Sequence, residues 1–120
     1  MNRISGLLRR RLWDSLGYSL RGLKACYRYE EAFQVEVVLS LVLIPLGLWL
    51  GENAVEKVLL VGSVLMVMII ELLNSAIEAA IDRISLEPAE LSGRAKDLGS
   101  AAVFMSMAMV LLVWGLIVFG

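Results

Sequence analysis

In the stretch ELLNSAIEAAID, Glu71, Asn74, Glu78 and Asp82 recur at steps of three and four. On a helix that advances about 100° per residue, Asn74 lies at about 300° from Glu71, Ser75 at about 40°, Glu78 at about 340° and Asp82 at about 20°. All five share one face roughly 100° wide, and the other face is Leu, Ile and Ala. Carboxylates aligned in this way can hold a divalent cation through oxygen, take up and release protons, or accept hydrogen bonds from a neighbouring helix.

The element that carries them makes the choice sharper. VLLVGSVLMVMII runs directly into Glu71, so the polar face sits at the end of what would otherwise be an ordinary membrane span. A carboxylate at bilayer depth costs at least about 2.5 kcal/mol on insertion scales, so these groups must face protein, a metal or water. Lys and Arg are absent from all three apolar segments. Two explanations stay open on these residues alone. Either the polar groups bond across helices and fix assembly, with Ser75, Ala76, Ala79 and Ala80 allowing close backbone approach, or a proton or metal ion answers the acids. The spacing suits Mg²⁺, which takes oxygen ligands and keeps several waters.

Composition sets the class. Of 120 residues 59% are hydrophobic, and a mean hydropathy of +0.79 lies outside the range of soluble globular chains. Apolar blocks cover 37–51, 58–81 and 98–120. The last two are each roughly 35 Å long as helices, enough for a hydrocarbon core of about 30 Å. The first is shorter and must either extend back over AFQVE, placing Glu36 near the interface, or tilt little, and Pro45 within it marks a candidate kink. Apolar positions Ile4, Leu8, Leu12, Leu16, Leu20, Leu23 and Tyr27 form one helical stripe among basic residues, which predicts an amphipathic surface helix over about 3–28. Gly6, Gly17 and Gly22 interrupt that segment, and a break is expected near 17. The expected architecture is an all-α membrane protein of one domain, 1–120: the surface helix, then transmembrane helices over about 33–51, 57–82 and 98–119.

Seven of the eleven basic residues precede the first span and three (Arg83, Arg94, Lys96) lie between the second and third. The positive-inside rule then places the N-terminus and that second connection, RISLEPAELSGRAKD, in the cytoplasm and the C-terminus outside. No removable signal peptide is expected. A net charge of −1 gives no basis for a nucleic-acid partner. A single Cys and no His exclude an intrachain disulfide and the common zinc sites.

ELLNSAIEAAIDR, followed by ELSGRAKDLGSAAV and preceded by GYSLRGLKACYRYEEAFQVE, resembles the bacterial integral-membrane diacylglycerol kinase family over about 11–114. The resemblance implies a homotrimer of three-span subunits in the bacterial inner membrane. It implies MgATP at the cytoplasmic interface, a lipid alcohol from the bilayer, and direct transfer of the γ-phosphoryl group to give phosphatidic acid. It implies that Glu71 is the general base with Asn74 supporting it, and that Glu30 and Glu78 hold Mg²⁺. Arg11, Tyr18, Lys96, Asp97 and Glu87 match nucleotide-binding positions, together with Glu30 and Glu78. Ser19, Glu36, Glu71, Ser100 and Trp114 match the substrate-binding ones. The chain departs from the family pattern at Pro88, Ala89 and Leu20. No P-loop and no soluble-kinase Gly-rich or DFG element occurs. Undecaprenol as acceptor is the alternative within the family. A small proton-coupled transporter or assembly protein is the alternative outside it, and leaves Glu30 and the AKD segment without work.

Overall fold

The computed structural model describes residues 2–84 and 89–120, so Glu87 and Pro88 lie outside the described residues. Four helices follow in order: α1 Asn2–Tyr29, α2 Glu31–Leu50, α3 Ala54–Ile84 and α4 Glu90–Phe119. The last three are each long and apolar enough to cross a membrane. Helix α3 is the centre of the arrangement, packed against α2 on one side and α4 on the other, while α1 touches α2 and α3 near its C-terminal end.

The turns from α1 to α2 and from α2 to α3 are short, and side chains close them. A single residue, Glu30, separates α1 from α2, with extended φ −117° and ψ 109°. The N–H of Glu30 still bonds to the Cys26 carbonyl (2.9 Å), and Gln34 Nε2 reaches back to the Tyr27 carbonyl (2.7 Å). The corner thus satisfies carbonyls that the end of α1 would otherwise leave open. At the next turn Asn53 Oδ1 accepts the Glu56 N–H (2.9 Å), while Glu56 Oε1 accepts the Glu52 N–H (3.2 Å). This reciprocal capping starts α3 ahead of the apolar run, so Glu56 and Lys57 are helical.

Helix α2 includes Pro45 within its length. Two features differ from the sequence expectations. Helix α1 runs through Gly17 without a break. The Leu and Arg residues over 7–12 and Leu20, Arg21, Leu23, Lys24 and Ala25 beyond it outweigh a cost of about 1 kcal/mol. Helix α4 begins at Glu90 rather than near 98, so Arg94, Lys96 and Asp97 are helical and not part of a long loop. Hydropathy marks only the apolar part of a helix. The charged first two turns of α4 are held by Glu90 and Arg94, paired at 3.4 Å one turn apart, and by a bond from Lys96 to α3.

Little of the chain is buried. Among the described residues Phe33 and Leu60 are the large side chains that are fully enclosed. Outward-facing Phe104, Leu111 and Phe119 show the apolar exterior that lipid covers in a membrane protein. Buried hydroxyls need no interhelical partner: Ser40, Ser63 and Ser106 each donate to the carbonyl three residues back, at 2.7, 2.9 and 2.7 Å. Gly47 lets α2 approach α3 closely. A Cβ built there would lie 3.1 Å from Leu60 Cβ and 3.5 Å from Trp114 Cζ2, whereas a Cβ on Gly62 would meet nothing. Gly47→Leu is therefore expected to lower stability by about 1–3 kcal/mol in a denaturant titration of the detergent-solubilised protein. Gly62→Leu should stay near wild type in the same titration.

Candidate active site

Glu71 sits midway along α3 and is buried, 5% exposed. Glu36, on the second turn of α2, is buried as well at 9%, and the two carboxyl groups face each other. Neither oxygen of Glu36 has a hydrogen-bond donor among the described residues, and Oε2 of Glu71 has none. One turn further along α3, Asn74 is buried and donates from Nδ2 to Glu78 Oε1 (3.3 Å). Its Oδ1 has no donor among the described residues. Four buried acceptor atoms from α2 and α3 thus have no N–H or hydroxyl donor among the described residues, and a proton shared between the facing Glu36 and Glu71 carboxyl groups is the one partner within reach of that pair. Each costs of order 1–3 kcal/mol while unmet.

Glu30 and Glu78 flank this centre. Both are half-buried, and both lie close enough to Glu71 for their charges to act on it. Glu30 comes from the corner between α1 and α2, where its extended backbone turns the side chain into a groove shared with Ser19, Cys26 and Ser75. No cluster of three acidic, cysteine or histidine side chains at metal-binding spacing occurs among the described residues. Two carboxylates nonetheless fit Mg²⁺, which binds through one or two protein carboxylates when phosphates and water complete its shell.

Asp82 has a different partner from the one its spacing suggested. Lys96 Nζ donates to Asp82 Oδ1 at 2.8 Å, tying the end of α3 to the start of α4. The pair is exposed, so its contribution is to position the two ends more than to stabilise them. Asp97 and Ser100 are exposed on α4, and Arg11, Tyr18 and Ser19 are exposed on α1. Arg11 and Tyr18 line one shallow concavity, and Arg21 stacks over the Tyr18 ring at 4.9 Å. Trp114 stands apart from the acids. Its indole N–H donates to the Leu60 carbonyl (3.1 Å), roughly 16 Å along α3 from Glu71 at helical rise.

Two contributors escaped the sequence reading. A Cβ on Gly99 of α4 would overlap Asn74 Oδ1, so this glycine is what lets the asparagine stand between α3 and α4. The run of small residues GSAA at 99–102 was the available signal. Cys26 is buried on α1 and its thiol donates to Ser75 Oγ (3.6 Å). Burial, before any other influence, pushes that thiol above its ordinary value.

Three helices that can cross a bilayer, with acids gathered where α1, α2 and α3 meet, define an integral membrane protein with a buried acidic centre. The family description "Prokaryotic diacylglycerol kinase" matches residues 17–118. The chain is 53% identical over 108 residues to the diacylglycerol kinase of Haemophilus influenzae, covering 90% of this chain and 92% of that one. It is 48% identical over 104 residues to the diacylglycerol kinase of Escherichia coli strain K12, covering 87% and 85%. For the diacylglycerol kinase of Pseudomonas aeruginosa the figures are 44% over 111 residues, 92% and 90%. The chain belongs to the prokaryotic diacylglycerol kinase family, and it is an enzyme, a kinase.

Two outcomes are expected from this geometry. Gly99→Ala should displace the Asn74 side chain and reduce turnover by up to about 100-fold, with helix content by circular dichroism unchanged. Because a raised thiol pKa leaves little thiolate near neutrality, Cys26 should resist iodoacetamide in the folded protein at pH 7.5 and alkylate once unfolded, as read by mass spectrometry.

Proposed function

We propose that this enzyme transfers the γ-phosphoryl group of MgATP directly to the hydroxyl of diacylglycerol, giving phosphatidic acid and ADP. The observation that carries the reading is the buried Glu71 carboxylate, with an oxygen lacking any described donor, beside Glu36, Asn74, Glu78 and Glu30. In-line phosphoryl transfer asks for positioning, charge compensation on the phosphates and a base. Glu71 is the base: its free oxygen accepts the proton of the lipid hydroxyl as that oxygen attacks phosphorus. Asn74 holds Glu78, through the bond between them, at a fixed distance from Glu71. Glu30 and Glu78 would hold Mg²⁺, which supplies the positive charge that offsets the transferring phosphoryl group.

Arg11, Tyr18, Lys96, Asp97 and Glu87 serve the nucleotide, and Ser19, Glu36, Ser100 and Trp114 the lipid. Lys96 reaches the nucleotide from α4 only while Asp82 orients it, so the two act together. The chain is one lipid-kinase domain of the bacterial inner membrane. Its α1 lies along the cytoplasmic surface, its C-terminus is outside, and it assembles as a homotrimer. The excess of basic residues before α2 and between α3 and α4 supports that orientation. The names of its relatives and the sequence ELSGRAKDLGSAAV support diacylglycerol over undecaprenol as acceptor.

The test is label transfer from [γ-³²P]ATP with magnesium to diacylglycerol or to undecaprenol in detergent. Label on diacylglycerol supports the reading, label on undecaprenol alone moves the acceptor, and label on neither rejects the lipid kinase. Glu71→Gln is expected to reduce kcat by about 10²–10⁴-fold with MgATP binding retained by equilibrium dialysis. Glu78→Gln should instead weaken nucleotide binding and raise the magnesium requirement. Equal loss of both properties in both variants would contradict the separation of roles.

A further inference from the structure

Glu36 of α2 and Glu71 of α3 are both buried and face each other. Three of their four carboxyl oxygens have no N–H or hydroxyl donor among the described residues. The donors around them are committed elsewhere. Ser40, one turn beyond Glu36, donates to the Val37 carbonyl at 2.7 Å. Asn74 donates to Glu78 at 3.3 Å, and the Cys26 thiol donates to Ser75 at 3.6 Å. The charges that act on Glu71 from outside the pair, those of Glu30 and Glu78, are acidic too. Among the described residues neither Glu36 nor Glu71 has a lysine or arginine partner.

On its other side Glu36 borders Leu39, Val64 and Val67, and a space lined by such residues does not hold water. Two like charges held face to face and away from water do not both ionise. One proton between the carboxyl groups removes the repulsion and turns an unmet acceptor into a donor. Its place follows from the division of roles. A base can take the proton of the lipid hydroxyl only while its own oxygen is free, so with Glu71 as the base the proton belongs to Glu36.

We infer that Glu36 is kept as a carboxylic acid and donates a hydrogen bond to the Glu71 carboxylate, fixing the orientation of the base. This rests on the lipid-kinase reading above and deepens it: Glu36 serves the acceptor at one remove, as a positioning residue acting through Glu71. In each turnover the hydroxyl proton passes to Glu71 as the lipid oxygen bonds to the γ-phosphorus and the bond from that phosphorus to ADP breaks. The Glu36 proton stays in place, and the proton on Glu71 leaves to water before the next turnover. Glutamine copies the shape of a protonated glutamate and keeps a donor, whereas leucine keeps bulk alone.

The experiment measures diacylglycerol kinetics for wild type, Glu36→Gln and Glu36→Leu, with infrared spectra of the same full-length proteins in liposomes near neutral pH. There the C=O stretch of a protonated carboxyl group stands apart from the carboxylate bands. Glu36→Gln should keep kcat within about 10-fold of wild type, and Glu36→Leu should lose about 10²–10³-fold. In both, KM for diacylglycerol and for MgATP should stay near wild type. The protonated-carboxyl band should be present in wild type, absent from both variants and retained in Glu52→Gln, which alters an exposed acid. Equal loss of kcat in the glutamine and leucine variants, with no such band in wild type, overturns the inference, because Glu36 then acts as an ion. So does a rise in KM for diacylglycerol with kcat kept in both, which assigns Glu36 to the lipid itself. The glutamine variant and the band decide the question even where leucine prevents assembly. If wild type phosphorylates no lipid, the kinase reading fails, and the band by itself supports the Glu36 proton when present and overturns it when absent.

Discussion

The governing constraint on this molecule is the cost of placing carboxylates where water is scarce. Glu36 and Glu71 are enclosed between α2 and α3 with oxygens that no described donor meets. Apolar residues there would be easier to insert, and the two carboxyl groups meet that cost in part by facing each other across the helix pair. Much of the remaining architecture serves this requirement. The corner at Glu30 adds an acid from the side, Asn74 steadies Glu78, and Gly99 makes space for Asn74 between helices. Elsewhere the spans avoid the problem altogether: their serines bond to their own helix backbone and leave the exterior to lipid.

What could be read in the sequence follows from the range of the interactions concerned. The polar face of α3 was legible because Glu71, Asn74, Ser75, Glu78 and Asp82 belong to one helix, whose geometry is fixed. The three apolar stretches were legible because the bilayer imposes a length. The meeting of Glu36 with Glu71, the overlap of Gly99 with Asn74 and the bond from Trp114 to Leu60 were not, since each depends on how two helices cross. Periodicity carries no information about crossing. The early start of α4 was hidden for another reason: its charged first turns extend beyond the apolar window, and ion pairs rather than hydropathy hold them helical.

Family membership and local geometry answer different questions here. Relatives at 44–53% identity establish which family the chain belongs to. They do not say why Asp82 is bound by Lys96 or why Trp114 is anchored far from the acids, and the contacts themselves do. Asp82 and Lys96 come from helices with no covalent link nearer than the connection between Ile84 and Glu90, so their bond ties the end of α3 to the start of α4 a second time. Residues grouped by motif thus separate into those gathered around the buried carboxyl groups and those that tie the helices about them.

The corner at Glu30 has a mechanical side. One residue both bends the chain from α1 into α2 and supplies a carboxylate beside Glu71, so helix direction and acid placement form a single degree of freedom. Tilting α1 against its support swings that oxygen donor with it. A helix of 28 residues, roughly 40 Å from end to end, becomes a long lever arm whose fulcrum lies beside the buried acids.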